Sequence, residues 1–482
     1  MRRTLLHVMC ILLLCTGTAL GKDVKIHGFV TTVNSQTTFE IDDYKITRDM
    51  QLILEVEKDE SGGATASFNP EDIRVGTELE IRGDWNESTG ELRAKSIRVF
   101  LDDTRKIKRT ALVREVPVLK KTDSGAWMGF VKADGQRVAI SESTLVAVKL
   151  NQTEKKQSKS EKNEGTKDDS VKLASAEYLN QDTFMHYEGT RQSDGSVLTS
   201  KVEFQHAELE NGEIKLWRQL TPKVKEANFA SSKPGELKVA RSKYKLVPDK
   251  EAQDYVGRIG QALIPAHQKE LPAGDPLRIP FTFYLIEAKS FNASAYPNGV
   301  VIVHSGLFDS LENEGQLAFV LSHEITHAIE KHVWREHEYH KKALMALKIG
   351  GAIGAGFGGR GVADLANMVE AGIRNGYARS LENQADREGM ERMLEAGYDP
   401  REAPRAWKAV AKKYGDRPTN LFWDNHDNNA TRRSYLMSEL KNNYADTDFS
   451  SLKKDGDEFH QISERIRNLT PDKKKIKVKV RH

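Results

Sequence analysis

The chain has almost no sulfur chemistry available to it. Only two of its 482 residues are cysteines, Cys10 and Cys15, and both lie in the first 22 residues. If that segment is removed, the remaining chain has no thiol, which excludes disulfides and thiolate metal ligands. Any metal site must then be built from histidine and carboxylate side chains.

Long hydrophobic runs are also scarce. Residues 1–22 have a basic start, an apolar run to about Cys15 and small residues before Lys22, which is the layout of a signal peptide. Because the run is short for a membrane span, we predict cleavage near Gly21 rather than an uncleaved anchor. The protein is therefore expected to be exported, periplasmic or secreted, in a bacterial host.

No excess of one charge indicates a partner. The chain has 73 basic and 70 acidic residues, a formal net charge of +3. We predict no nucleic-acid partner. The basic tail "PDKKKIKVKVRH" (471–482) is either solvated or a peripheral contact to anionic lipid headgroups or an acidic partner. Nothing in the sequence indicates the oligomeric state.

Short alternating apolar and polar runs dominate the first part of the mature chain. Segments such as "TELEIRGDW" and "LRAKSIRVF", broken by glycine and asparagine, are typical of strands joined by tight turns. We predict an all-β region of two small OB-like barrels or sandwiches, covering residues 23–110 and 111–205.

A weak internal repeat supports two related β-domains. Residues 77–100 and 182–204 each contain a strand that ends at a glycine, a polar turn with a second glycine, and another alternating strand. The glycine pairs are Gly83 with Gly90 and Gly189 with Gly195.

Two segments of this half are predicted to lack a core. "NQTEKKQSKSEKNEGTKDDS" (151–170) contains no hydrophobic residue, so we predict a disordered loop within the second β-domain. Residues 206–245 are predicted to be a linker.

Helical patterns dominate after this linker. Residues 252–267 have apolar side chains at helical spacing, whereas 281–287 and 299–306 are predicted strands. This favours an α+β, mainly helical domain over residues 246–450, followed by a C-terminal segment, 451–482, that includes the basic tail.

The segment "LSHEITHAIE" carries the most specific chemical pattern. His323 and His327 are four residues apart on a predicted amphipathic helix, so both imidazoles can reach one metal ion. Glu324 lies one position round the helix, where a carboxylate can act as general base on water. The alternative is two ordinary histidines on a solvated helix face.

A third ligand has to come from elsewhere, because the histidine of the metzincin extension is absent. Glu382 and Asp386 lie four apart on another predicted helix. Such a pair can offer one carboxylate to a metal and the second to an imidazole N–H. Alternatively, they form an exposed acidic face that pairs with Arg379 and Arg387.

The order of these motifs resembles a known family. The segment "FNASAYPNGVVIVHSGLFDSLENEGQLAFVLSHEITHAIEKH" (291–332), followed by "YARSLENQADREG", is similar to the gluzincin metallopeptidases of the HtpX, BepA and CAAX-prenyl-protease type. The resemblance covers roughly residues 250–440. It implies one zinc ion per chain held by His323, His327 and Glu382, a zincin-type catalytic domain, and Asp386 as the companion of a histidine ligand.

That family also has a histidine and an arginine on a later loop that faces the metal. In "NHDNNATRRSYL" (425–436) the matching positions are His426 and Arg432, but Asp427 replaces the family's proline. The resemblance implies that the pair binds substrate or stabilises the oxyanion. The alternative is a polar surface loop.

Three more histidines, His332, His337 and His340, follow the motif. We predict that they lie on a solvated face of the same helix; a secondary metal site is the alternative.

Together these patterns predict an exported zinc-dependent metalloendopeptidase that hydrolyses peptide bonds of polypeptide substrates in cell-envelope protein quality control. The alternative function is a chaperone-like, polypeptide-binding envelope protein with a latent peptidase site.

Overall fold

The computed structural model describes residues 22–56, 68–100, 107–115, 117–161, 170–192, 195–231, 233–339, 369, 377–414 and 429–469. The predicted signal segment, apart from Lys22, and the basic tail lie outside these residues. Among the described helices, none is long and apolar enough to cross a membrane.

The first β-region is a closed five-stranded barrel. Its strands follow one another in the order β3-β2-β1-β5-β6, and β6 pairs with β3 to close the barrel, while β4 adds to the outer side of β6. Apolar side chains at alternating positions, such as Ile81 and Ile97, fill the interior. The strands are β1 (Lys22–Val33), β2 (Thr38–Ile41), β3 (Tyr44–Thr47), β4 (Leu54–Val56), β5 (Glu78–Asn86) and β6 (Glu91–Phe100).

The second β-region repeats this connectivity. Its strand order is β7-β13-β14-β10-β9, and a bridge between Val113 and Ala133 brings β9 back to the end of β7. The strands are β7 (Ile107–Leu112), β8 (Val118–Lys121), β9 (Trp127–Ala133), β10 (Gln136–Ile140), β11 (Leu145–Lys149), β12 (Ser170–Val171), β13 (Thr183–Arg191) and β14 (Val197–His206). The expectation of an N-terminal β-rich region is confirmed.

The internal repeat of the sequence corresponds to two equivalent hairpins, β5–β6 and β13–β14. Each has a register shift at its first glycine, Gly83 or Gly189. A Cβ atom at either position would lie within 2.1 or 2.4 Å of a carbonyl oxygen on the neighbouring strand, which only glycine avoids. The second glycines, Gly90 and Gly195, have φ values of 67° and 82° in the turns.

A helix replaces part of the predicted disordered loop. Helix α1 (Gln152–Glu161) follows Asn151, whose side chain accepts a hydrogen bond from Glu154 N at 2.9 Å. The Glu154 carboxylate in turn contacts His206 Nδ1 at 2.9 Å. The prediction of disorder over 151–170 is wrong for this helix because polar capping, rather than a buried apolar face, fixes it; residues 162–169 lie outside the described ranges.

The predicted linker is also folded. Leu216 of its helix, Leu220 just after that helix, and Leu237 and Val239 of its small sheet are buried against the neighbouring C-terminal region. The prediction of a linker over 206–245 is therefore wrong, because these few, spaced apolar residues suffice to anchor the segment. Its elements are α2 (Asn211–Gln219), β15 (Lys223–Lys225), β16 (Glu236–Val239) and β17 (Ser242–Lys245).

The C-terminal region packs helices around a small sheet. The central strand β20 pairs in parallel with β18 on one side and antiparallel with β19 on the other, so β18 and β19 are the edge strands. The strands are β18 (Thr282–Ile286), β19 (Ala293–Ala295) and β20 (Val300–His304), and the helices are α3 (Lys250–Leu263), α4 (Ala266–Glu270), α5 (Glu314–Ile329), α6 (Arg379–Glu395), α7 (Glu402–Tyr414), α8 (Asn429–Asn443) and α9 (Asp457–Leu469).

Helix α5 is the centre of this region and every residue in it is buried. Its first turn is capped by Asn313, whose side chain accepts from Gln316 N at 2.9 Å. Helix α9 adds Phe459, Ile462 and Ile466 to the same core. The packed region thus extends past residue 450, where the sequence predicted its end.

Candidate metal centre

Helix α5 presents the two histidines of the segment "LSHEITHAIE" side by side. Since they are one helical turn apart, their rings share a face, and the Nε2 atoms of His323 and His327 lie 3.0 Å apart. Both side chains are buried, at 3% and 4% exposure. The alternative of a solvated histidine face is therefore wrong.

Helix α6 supplies the third donor. Glu382 Oε2 lies 3.3 Å from His323 Nε2, and Glu382 Oε1 lies 3.6 Å from His327 Nε2. The two helices approach closely at Gly389, where an added Cβ atom would lie only 3.3 Å from His323 N.

These three side chains fit a zinc ion by geometry and by chemistry. Their donor atoms all lie within 4.8 Å of one another. Two imidazoles and one carboxylate are one of the donor sets found in catalytic zinc sites, which leave one position open for water or substrate. His323, His327 and Glu382 could thus hold one zinc ion.

Asp386 contacts the far side of one of these histidines. Its Oδ1 atom lies 3.0 Å from His323 Nδ1, so the carboxylate can accept the N–H of a ring that uses Nε2 for a metal. Burial raises the pKa of Asp386, but Arg432 and His323 outweigh this effect and lower it below its ordinary value. The carboxylate therefore remains an acceptor at neutral pH.

Arg432 on helix α8 completes this contact. Its Nε and Nη2 atoms donate to the two oxygens of Asp386 at 3.0 and 2.6 Å, and its guanidinium lies 3.9 Å from the centre of the Trp407 ring. Nη2 is also 3.7 Å from Glu382 Oε2. Arg432 is thus brought to the metal centre, where it contacts the carboxylates of both Asp386 and Glu382. His426 lies outside the described residues.

Glu324 faces β19, an edge strand of the small sheet. Its Oε2 atom accepts a hydrogen bond from the backbone N–H of Ala295 at 2.9 Å. Burial raises the pKa of Glu324 to about 7. A carboxylate with a pKa near neutrality is suited to accept and return a proton during catalysis.

Tyr377 is a neighbour of the centre that the sequence did not single out. The Tyr377 ring stacks on His327 with the ring centres 4.3 Å apart, and its backbone N–H donates to Glu382 Oε1 at 3.3 Å. The only sequence signal for Tyr377 was its place at the start of "YARSLENQADREG".

His332 contradicts the prediction of a solvated histidine face beyond the motif. It is fully buried, and its Nδ1 atom lies 2.7 Å from His327 Nδ1. The continuous helix assumed by that prediction ends at Ile329, and Lys331 has a φ of 53°, which turns the chain. His337 is partly buried, and His340 lies outside the described residues.

Comparison with known proteins gives the family that the C-terminal region matches. Residues 250–459 match Peptidase family M48. The chain is also similar to the beta-barrel assembly-enhancing protease of Escherichia coli (strain K12), with 30% identity over 186 residues, or 37% of each chain. The resemblance expected from the sequence is confirmed.

Two further relatives show the spread of this similarity. The beta-barrel assembly-enhancing protease of Yersinia pestis is 29% identical over 192 residues, or 38% of each chain. Mitochondrial metalloendopeptidase OMA1 of Arabidopsis thaliana is 30% identical over 134 residues, or 26% of this chain and 24% of the relative. The chain thus aligns with well under two thirds of each of these relatives.

Proposed function

We propose that this chain, whose residues 250–459 are a domain of peptidase family M48, is a zinc-dependent endopeptidase that cleaves polypeptides. The observation that carries the proposal is the buried cluster of His323, His327 and Glu382, with donor atoms within 4.8 Å of one another. An adjacent buried carboxylate, Glu324, supplies the base that hydrolysis requires.

A zinc ion at this cluster would polarise the scissile carbonyl and make water a better nucleophile. Glu324 would take the proton from the attacking water and pass it to the leaving amine. Its hydrogen bond from Ala295 N, 2.9 Å long, holds the carboxylate in place for both transfers.

Asp386 and Arg432, which lie behind the proposed zinc ligands, would hold His323 in its orientation. We propose that Asp386 orients His323 and that Arg432 fixes Asp386, since both links are buried hydrogen bonds. The role expected for His426 and Arg432 in binding substrate or stabilising the oxyanion stays a prediction. The contacts of Arg432 favour orientation of the carboxylates.

An extended substrate would bind along strand β19. This strand is one of the two edge strands of its sheet, and its Ala295 N–H donates to Glu324. A peptide that pairs with this edge would place its backbone beside the catalytic carboxylate. Recognition through backbone groups accommodates many sequences, which suits a protease of unfolded polypeptides.

We further propose export through the signal segment and a role in cell-envelope protein quality control. The layout of residues 1–22 and the names of the bacterial relatives support this assignment. The two barrels, proposed to be OB-like, would serve as parts of this enzyme rather than as nucleic-acid binders. We propose two β-domains over residues 23–110 and 111–205 and a catalytic domain that begins near residue 246 and extends past residue 450.

Digestion of an unfolded, fluorescently labelled protein tests the proposed activity. Wild type should cleave it, and Glu324→Gln should reduce the rate by about a hundredfold to ten-thousandfold because the general base is lost. The matched control is Glu312→Gln, which makes the same chemical change at an exposed carboxylate just before helix α5 and should leave the rate unchanged.

Equal cleavage by wild type and Glu324→Gln would overturn the assignment of the base. If wild type and Glu324→Gln both bind the labelled protein stably and neither cleaves it, the result would favour the alternative function, a polypeptide-binding protein with a latent peptidase site.

A further inference from the structure

A buried row of polar side chains runs from the metal centre into the interior. His332 has no exposed surface, its Nδ1 atom lies 2.7 Å from His327 Nδ1, and its Nε2 atom lies 3.3 Å from Gln384 Oε1. Gln384 is 2% exposed and donates from its amide nitrogen to Glu388 at 2.9 Å. Each member of the row therefore has a polar partner on both sides.

A sharp turn of the backbone brings His332 beside His327. Helix α5 ends at Ile329, and Lys331 adopts a φ of 53°, a conformation that non-glycine residues rarely adopt. The Lys331 ammonium donates to the Glu208 carbonyl at 2.7 Å and to Glu213 at 3.1 Å, which holds the turn. Without this turn, His332 would continue along the helix and could not face His327.

If His327 binds a metal through Nε2, the hydrogen-bond donor and acceptor of each contact in the row can be assigned. Two ring nitrogens 2.7 Å apart require one N–H and one lone pair. The Nε2 atom of His327 faces His323 and Glu382, so a metal ligand must keep its lone pair there. Its proton is then on Nδ1, which donates to His332.

The same argument fixes the tautomer of His332. Because its Nδ1 accepts, its proton is on Nε2 and points at Gln384 Oε1. That oxygen also accepts from Arg335 Nη1 at 3.1 Å, while the Gln384 amide nitrogen faces the Glu388 carboxylate. The orientation of the amide is therefore set from both ends.

The two histidines of the centre thus have different partners. His323 donates to a carboxylate, Asp386, whereas His327 donates to a neutral imidazole. Glu324, Glu382 and Asp386 already bring three carboxyl groups to this buried place. A neutral acceptor behind His327 orients the ring without adding a further buried negative charge.

We infer that His332 is a positioning residue that fixes the tautomer and ring orientation of His327, and that Gln384 fixes His332 in turn. This inference rests on the proposed zinc ligands. Loss of such an outer partner lowers metal affinity by about tenfold to a hundredfold. The ligands themselves are left in place.

Zinc affinity, measured by competition with a chromophoric chelator, tests the inference. His332→Phe keeps the ring volume but removes the acceptor, and should weaken zinc binding by about tenfold to a hundredfold. His332→Asn, whose side-chain oxygen can replace Nδ1, should restore affinity to within about threefold of wild type. His337→Phe, on the same segment but directed at Glu338, should have no effect.

The visible spectrum of the cobalt-substituted protein gives a second readout. A change in the ligand-field bands of His332→Phe, absent in His332→Asn, would report a reoriented ligand rather than a general loss of stability. Thermal melts of the metal-free variants establish that each is folded. If His332→Phe does not fold, Gln384→Met carries the test, because it frees His332 to change tautomer and should also weaken zinc binding.

The outcomes separate this inference from the proposed function. Unchanged zinc affinity and unchanged cobalt spectra in the folded variants would overturn the role of His332 while the zinc site stands. Failure of the wild type itself to bind zinc would overturn the proposed function and this inference with it.

Discussion

The barrels and the catalytic region bury charge in different places. In the described part of residues 22–206, the interiors of the barrels are apolar, and five charged side chains are buried. Four of these five pair across the boundary with the catalytic region, whereas Arg48 donates to a carbonyl of its own barrel. The four pairs are Asp42 with Arg433, Glu78 with Arg379, Arg114 with Glu395, and Asp134 with Arg387.

The catalytic partners of these charges lie on the helices that build the metal centre. Arg379, Arg387 and Glu395 are on helix α6 with Glu382 and Asp386. Arg433 is the neighbour of Arg432 on helix α8, and Ser434 of the same helix accepts from Phe29 N at 2.9 Å. Because separating the barrels from the catalytic region would leave these buried charges without their partners, we infer that the barrels are fixed structural supports of the centre.

The largest effect is expected at the second barrel. Asp134 and Arg387 are both almost completely buried, and Asp134 occupies a turn with a φ of 58° that asparagine also tolerates. Asp134→Asn therefore removes the charge but keeps the turn, and should lower the free energy of unfolding by about 3–5 kcal/mol in urea titrations. A loss below about 1 kcal/mol would show that this boundary is not held by the pair.

A smaller loss is expected at the first barrel. Asp42 accepts from Arg433 Nε at 3.0 Å and Nη2 at 2.5 Å, and it also lies in a turn with positive φ. Asp42→Asn should cost about 2 kcal/mol of unfolding free energy, because a charge-assisted hydrogen bond is lost. It should also slow cleavage, since helix α8 carries Arg432. Unchanged stability and cleavage together would refute the support role of this barrel.

A partly buried histidine, with no carboxylate partner among the described residues, gives a contrasting case. His304 has Ser290 Oγ at 2.7 Å from Nδ1, and burial lowers its pKa from 6.5 to about 4. Between these values the unfolded chain binds more protons than the folded one, so stability falls as pH decreases from 6.5 towards 4 and is unaffected above 6.5.

His304→Gln cannot titrate and should flatten this part of the stability profile by about 1–2 kcal/mol at pH 5. Urea titrations of both proteins in the presence of a chelator keep metal loss out of the comparison. Parallel profiles for wild type and His304→Gln would contradict the assignment.

The smallest effect is expected one residue from Asp42. Asp43 pairs with Lys408 across the same boundary at 2.9 Å, but both side chains are more than 60% exposed. Asp43→Asn should change the free energy of unfolding by less than about 1 kcal/mol, which makes it the matched control for Asp42→Asn. Equal losses in the two variants would mean that burial does not decide the strength of these pairs.

The sequence alone predicted those features that depend on residues close together along the chain. The spacing of His323 and His327 on one helix, and the glycines of the repeated hairpins, are each determined by neighbouring residues. Glu382 needed the family resemblance, because its distance to the histidines in space is not encoded in its distance along the chain. The structure then brought it within 3.6 Å of both.

The remaining features depend on long-range contacts. The sequence allows Arg379 and Arg387 to be partners of an exposed acidic helix face, but in the structure they pair with Glu78 and Asp134 of the barrels. The sequence pattern predicts a solvated face for His332 because lysine does not signal the left-handed turn that the backbone makes at Lys331. In each case a distant segment decides whether a polar side chain is exposed or buried.

The most direct test of the metal centre is the zinc content of the purified protein by elemental analysis, for wild type, Glu382→Ala and Glu324→Gln. We expect one zinc ion per chain in wild type, loss or weakening of zinc binding in Glu382→Ala, and full retention in Glu324→Gln, because only the first variant removes a ligand. Wild type without zinc, or Glu382→Ala with undiminished zinc, would contradict the ligand set on which the account depends.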